Sequence, residues 1–233
     1  MIEIRKYISC IMVLIPFLNN VNAQQLHWEI YSGVLISDLW YVPKTSFNQK
    51  YPPFPTYNFG FSYLINEDRN YSFRAGVSYM SYGKYINKDR FIDLDTTLVL
   101  PDGTSIEFPA TITTYSKNYF MELPLTTEYK WQKGRFSPFI RLDIVPQIYV
   151  SRKYVQESDR TSFNFSSNEK LSNIRNYNLA LGTGLGTYYK LNQKMSLVAN
   201  IFTRVQILSN QGLTSKYYIY GVGTNLGLAF DIH

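Results

Sequence analysis

Five charged side chains stand singly among small and apolar neighbours: Arg74 between Phe73 and Ala75, Glu122 between Met121 and Leu123, Arg141 and Asp143 on either side of Leu142, and Arg204 between Thr203 and Val205. In an extended chain successive side chains point to opposite faces, so each of the five lies on the face away from its apolar flanks. Enclosed together, three cations and two anions could form ion pairs that offset one another's desolvation. That is a charge network filling an interior. The same groups could in principle relay a proton, line an ion path, or lend a carboxylate to catalysis.

Other residues with chemical potential are sparse. The two histidines, His27 and His233, have no second histidine or carboxylate at a ligand-like interval, so neither suggests a metal site. Nor do they supply the base of a nucleophilic triad. Gly182-x-Gly184-x-Gly186 looks like a phosphate loop, yet no helix follows it, and alternation explains it as a small inward face. Asp89, Asp93, Asp95 and Asp102 lack the spacing of a calcium loop. Asp102-Gly103, between Leu98-Val99-Leu100 and Ile106-Glu107-Phe108, reads instead as a hairpin turn. No cofactor and no metal is expected.

Period-two alternation places strands near 27–40, 57–66, 71–85, 114–131, 137–154, 174–190, 195–208 and 217–232. Tyr220, Val222, Thr224, Leu226 and Leu228 alternate with Gly221, Gly223, Asn225 and Gly227, and the sixth strand sets Leu179, Leu181 and Leu185 against Asn178, Ala180, Gly182, Gly184 and Gly186. Three connections are brief and polar, at 67–70, 132–135 and 192–194; of the other four, 41–56, 86–113 and 155–173 are long and 209–216 is short. Short turns at one end and long loops at the other characterise outer-membrane barrels, with the short turns facing the periplasm.

Bulk properties agree. Of 233 residues 17% are aromatic, including 21 Tyr, while the mean hydropathy is only −0.20, as expected when apolar residues alternate with polar ones. The net charge of +6 is dispersed, without the basic block of a nucleic-acid patch. Arg5 and Lys6, the apolar stretch from Ile8 to Phe17 and Val21-Asn22-Ala23 together read as a cleaved signal peptide over 1–23, with the barrel occupying 24–233. Cys10, the only cysteine, lies inside that leader, so no disulfide or thiolate chemistry is expected afterwards.

The expected fold is therefore all-β: an eight-stranded, antiparallel transmembrane β-barrel. Small residues and ions face inward because eight strands leave an interior just wide enough for side chains. Closure pairs every backbone polar group, which lipid cannot do. Aromatic girdles are expected at both membrane surfaces: Tyr63, Tyr71, Tyr129 and Trp131 near the short turns, and Trp40, Tyr149 and Tyr217 near the long loops.

The segment Tyr119-Phe120-Met121-Glu122-Leu123-Pro124-Leu125 resembles the Glu-x-Pro-Leu strand of the Bacteroidetes outer-membrane β-barrel families that include the PorT-like proteins. Further likenesses are Leu181 to Gly186, Phe202 to Leu213, and Asn225-Leu226-Gly227-Leu228-Ala229-Phe230. The resemblance implies an integral outer-membrane barrel without enzymatic activity, in a group whose PorT member is linked to type IX protein secretion. Expected partners are outer-membrane lipid and a protein at the outer loops or periplasmic turns, with a monomeric chain and no nucleic acid. Two other readings stand beside this one: a barrel enzyme modifying lipid A or phospholipid through a rim carboxylate and a serine, and a soluble secreted lipocalin-like binder.

Overall fold

The computed structural model describes residues 26–42, 53–68, 70–92, 98–99, 101, 103, 105–106, 110–131, 134–158, 164–169, 175–211 and 216–232. The expected signal peptide, His233 and much of the long connections lie outside these residues.

Eight long strands form the wall: β1 (Leu26–Val42), β2 (Pro53–Asp68), β3 (Tyr71–Ile92), β4 in two pieces (Ala110–Glu122 and Leu125–Lys130), β5 (Phe136–Ser158), β6 (Tyr177–Lys190), β7 (Met195–Gln206) and β8 (Lys216–Ile232). Each pairs antiparallel with the next in sequence, and β8 returns to β1 from Leu26↔Ile232 to Val42↔Lys216. The sheet therefore closes on itself and leaves no long edge.

Local chemistry explains the breaks. Pro124 has no N–H, so regular strand structure lapses at Leu123–Pro124. The ladder keeps its register there, because the Gly76 N–H donates to the Pro124 carbonyl at 2.9 Å and the Leu123 N–H to that of Pro146 at 2.9 Å. At the β4–β5 turn Gly134 adopts φ 62°, and between β6 and β7 the Lys194 N–H donates to Asn192 Oδ1 at 2.8 Å.

The two faces separate as alternation dictates. Leu226 is 64% exposed, Leu185 63% and Ile144 53%, whereas Glu122 and Glu128 on the opposite face are fully buried. Arg141 and Asn178 are enclosed, and Leu181 looks outward. A soluble barrel would reverse both sets. The apolar band faces out, and this excludes the lipocalin-like arrangement for the wall.

Several strands outrun their expected limits. β3 continues to Ile92 and β5 to Ser158, and Asn164–Glu169 pairs with the far end of β5 from Arg152↔Glu169 to Glu157↔Asn164. Leu98–Val99 pairs with Ser105–Ile106 around Gly103, whose φ is 83°. Beyond the apolar band the antiparallel ladder continues, as at Phe91↔Thr111 and Thr113↔Glu157, where no lipid contact imposes the alternation that marks a strand in sequence.

Two sequence expectations are corrected. Tyr149 and Tyr217 do not join an outer girdle: they are 2% and 8% exposed and pack inside with Leu35, Met80, Tyr82, Phe120, Phe202 and Ile219. Parity is the reason. Tyr149 shares a face with Arg141, Asp143 and Gln147, and Tyr217 with Ile219 and Gly221. Nearness to a loop does not override the face a residue occupies. Trp40 lies in β1 opposite Tyr218, but its side chain is outside the described residues.

Candidate functional site: the ionic interior

The enclosed face of every strand except β2 and β8 contributes an ionised or hydroxyl group to two linked clusters. The first lies toward the short turns. Arg141 Nη2 donates to Glu128 Oε2 at 3.0 Å and lies 3.6 Å from Glu29 Oε1, while Arg74 Nη1 lies 3.5 Å from Glu29 Oε2. The Tyr188 hydroxyl stands 3.1 Å from a carboxylate oxygen of both Glu29 and Glu128, so its single proton can be donated to either acid. Two carboxylates thus face two guanidiniums. Lys130 links this cluster to the mouth, 3.8 Å from Glu128 and 2.7 Å from Glu67, with His27 3.9 Å from Glu67.

Glu122 centres the second cluster. It accepts from Arg204 Nη1, from the Ser78 hydroxyl at 3.1 Å, from the Tyr82 hydroxyl at 3.0 Å and from Gln147 Nε2 at 2.6 Å. Arg204 Nη2 also reaches Asp143 Oδ2 at 3.4 Å, and the Thr126 hydroxyl donates to Asp143 Oδ1 at 2.6 Å. An amide relay extends toward the loops: Gln206 Nε2 to Gln147 Oε1 at 2.8 Å, and Asn210 Nδ2 to Gln206 Oε1 at 2.9 Å. Removing a charge from water costs several kcal/mol, which only close pairing with further hydrogen bonds offsets. Glu122 meets that requirement with four donors.

All five of the charged residues singled out in sequence lie in these clusters. Glu122, Asp143 and Arg204 come together directly, whereas Arg74 and Arg141 join through Glu29. Sequence reasoning missed Glu29 and Glu128. Glu128 was recoverable, since it keeps the parity of Glu122 and Thr126 beyond Pro124. Glu29 gave less signal, because Ser32 and Gly33 blur the alternation that follows it.

Glycine makes the room. A Cβ at Gly184 would come within 3.1 Å of Arg141 Cγ, and one at Gly186 within 2.4 Å of Phe139 Cζ. Phe139, Tyr188, Val198 and Ala229 form a buried apolar cluster at the turn end, while the larger one around Leu35 and Phe120 sits mostly toward the loops. Between the arginines remains a cavity of about 20 Å³, lined by Arg74, Arg141, Asp143 and Arg204 among others. That is room for about one water. Among the described residues no group of three or more His, Cys, Asp or Glu could hold a metal ion.

Outside, near the short turns, Trp28 stacks on Phe61 at 5.1 Å and meets Tyr63 at 4.9 Å; Tyr129 touches Tyr71 and Trp131, each at 4.9 Å. Amphipathic rings at one level mark the water boundary of an apolar band.

The sequence pattern of the outer membrane protein beta-barrel domain matches residues 22–218. The chain belongs to that family. As a member of it, this barrel resides in the outer membrane, with its apolar face against lipid and its ions enclosed. Among solved structures it is similar to OprG from Pseudomonas aeruginosa (10% identity, 90% of this chain and 97% of that one, TM-score 0.48) and to Neisserial surface protein A (11%, 88% and 97%, 0.44). It is similar also to the outer membrane protease OmpT from Escherichia coli (10%, 89% and 97%, 0.41). No curated protein matches it in sequence.

Proposed function

We propose that this outer-membrane barrel is a non-enzymatic component of the envelope whose lumen is filled, acting through its outer loops as a structural, partner-binding or secretion-accessory element. One observation carries the reading: the interior carboxylates are spent on internal partners. Glu122 and Glu128 are fully buried, each bonded to an arginine, and the space between the arginines is about 20 Å³. A general acid or base must reach substrate, and an ion path needs an open bore; the enclosed groups have neither. Function is then left to surfaces outside the lumen.

The secretion-accessory form of this reading draws on the likeness of Tyr119–Leu125 to the Bacteroidetes PorT-like strand. Two experiments test the proposal. Purified protein reconstituted in planar bilayers is expected to pass no steady ionic current, and a stable unitary conductance would contradict a filled lumen. In a deletion strain the lipid A and phospholipid mass profiles are expected to stay unchanged while loop-dependent partners drop out of crosslinked complexes. A shifted lipid profile restored by the intact gene would favour the lipid-modifying alternative.

A further inference from the structure

On the outer face of β4 the sequence runs from oil to water in steps of two residues: Met121, Tyr119, Lys117, Tyr115. Met121 is 45% exposed within the apolar band, and Tyr119 stacks on Tyr79 at 5.6 Å, a pair of amphipathic rings on the loop side of that band. Lys117 stands one step beyond, about 7 Å further along the strand at about 3.4 Å per residue. Amphipathic rings sit at the headgroup level, so a residue one step beyond them toward water falls among the headgroups.

Directly across from Lys117 on β5 is Lys153. Residues so opposed have Cβ atoms roughly 5 Å apart, and like charges there repel. Lys117 is held in place, its ammonium 4.9 Å from the centre of the Phe54 ring and 5.4 Å from that of Tyr115, two rings stacked at 4.5 Å. The ion pairs found between described side chains at this end, such as Lys84 with Asp38, involve neither lysine. Glu157, the nearby carboxylate, attracts Lys117 but is shared with the Tyr115 hydroxyl, which donates to it at 2.9 Å. Two ammoniums held opposite one another, with Glu157 offsetting only part of the repulsion on Lys117, are suited to a bridging anion.

We propose that Lys117 and Lys153 together bind the phosphate of a phosphorylated lipid headgroup in the outer leaflet. A phosphate offers several oxygens to two point-charge donors and turns their repulsion into shared attraction. The adjoining Tyr119 and Met121 then meet the lipid's glycerol or sugar and its acyl chains. The inference rests on the wall and its location, independently of what the loops do.

The test uses the full chain refolded in uncharged detergent, in zwitterionic vesicles containing diphosphorylated lipid A, and in vesicles containing the same lipid with its phosphates removed. Lys153→Gln is expected to raise the thermal unfolding midpoint in detergent, where it relieves repulsion. In the phosphorylated vesicles it is expected to lower that midpoint. A shift of the same sign in both overturns the proposal. By native mass spectrometry wild-type protein should retain the phosphorylated lipid about tenfold more than the dephosphorylated one, a comparison that needs no variant; equal retention overturns it. Lys190→Gln, at the opposite end, should leave retention unchanged, and an equal loss there would mean unspecific charge. Inorganic phosphate should not displace the lipid. If it does, the site takes free phosphate and the lipid assignment fails.

Discussion

At the scale of single residues, the interior is a set of mutual obligations, and its members cannot be changed one at a time. Arg204 joins Glu122 to Asp143, and both acids are buried. Arg204→Met would leave two enclosed carboxylates short of their cation, at a cost of about 3–5 kcal/mol. Adding Glu122→Gln should recover a large part, because the amide oxygen keeps the acceptor that Tyr82 and Gln147 share and the change removes one charge. Urea unfolding in lipid vesicles, followed by tryptophan fluorescence, checks both; an Arg204→Met variant as stable as the parent would mean the pair contributes nothing net. Volume imposes a similar obligation. Gly186→Val would drive a side chain into Phe139 and the Ala199 carbonyl, 2.4 and 2.5 Å from even a first carbon, and is expected to cost at least about 1–3 kcal/mol. Its heat-modifiable band should disappear at a lower temperature than that of wild type. Much of this site was legible in sequence, because a lone charge between apolar neighbours in a strand has only one face to occupy. The residues misread were those judged by position along the strand: Tyr149 and Tyr217 lie near loops, but their parity turns them inward.

At the scale of elements, what positions the ions is the regularity of the strands. Each strand carries two independent sequences, one written for lipid and one for the lumen, and one residue of slippage would exchange them. β8 shows the separation most clearly: Val222 and Leu226 look out, while Asn225 is 8% exposed on the other face. Leu226→Arg is therefore expected to cost about 2–4 kcal/mol if it sits near the bilayer midplane. Its neighbour Thr224, on the same face, offers a milder comparison, and a graded fall in folded yield from Thr224→Arg to Leu226→Arg in vesicles would map depth along the strand. Equal tolerance of both would contradict a lipid-facing wall. The strands expected from alternation correspond to the eight observed, since the apolar band forces period two wherever lipid is in contact. Their extensions, such as β3 to Ile92 and β5 to Ser158, were not legible. Water satisfies any face there, so no apolar period needs to be kept.

At the scale of the whole molecule, the decisive interaction is the one farthest apart in sequence. β1 and β8 pair along their entire lengths, so the last strand completes the hydrogen bonding of the first. In lipid an unpaired strand edge is intolerable, since each unsatisfied backbone group costs several kcal/mol. The clusters depend on the same closure: Glu29 on β1 serves Arg74 on β3 and Arg141 on β5 across the lumen, and a gap beside β1 would admit lipid to them. Removal of β8 should therefore not leave a seven-stranded remnant with one weak side. It should abolish the fold. A chain ending after residue 215 is expected to show no heat-modifiable band in vesicles and to be digested throughout by added protease, where the full chain resists except in its connections. A protease-resistant fragment spanning β2 to β6 would show that the sheet stands without closure, and the enclosed charges would then need another source of protection from lipid.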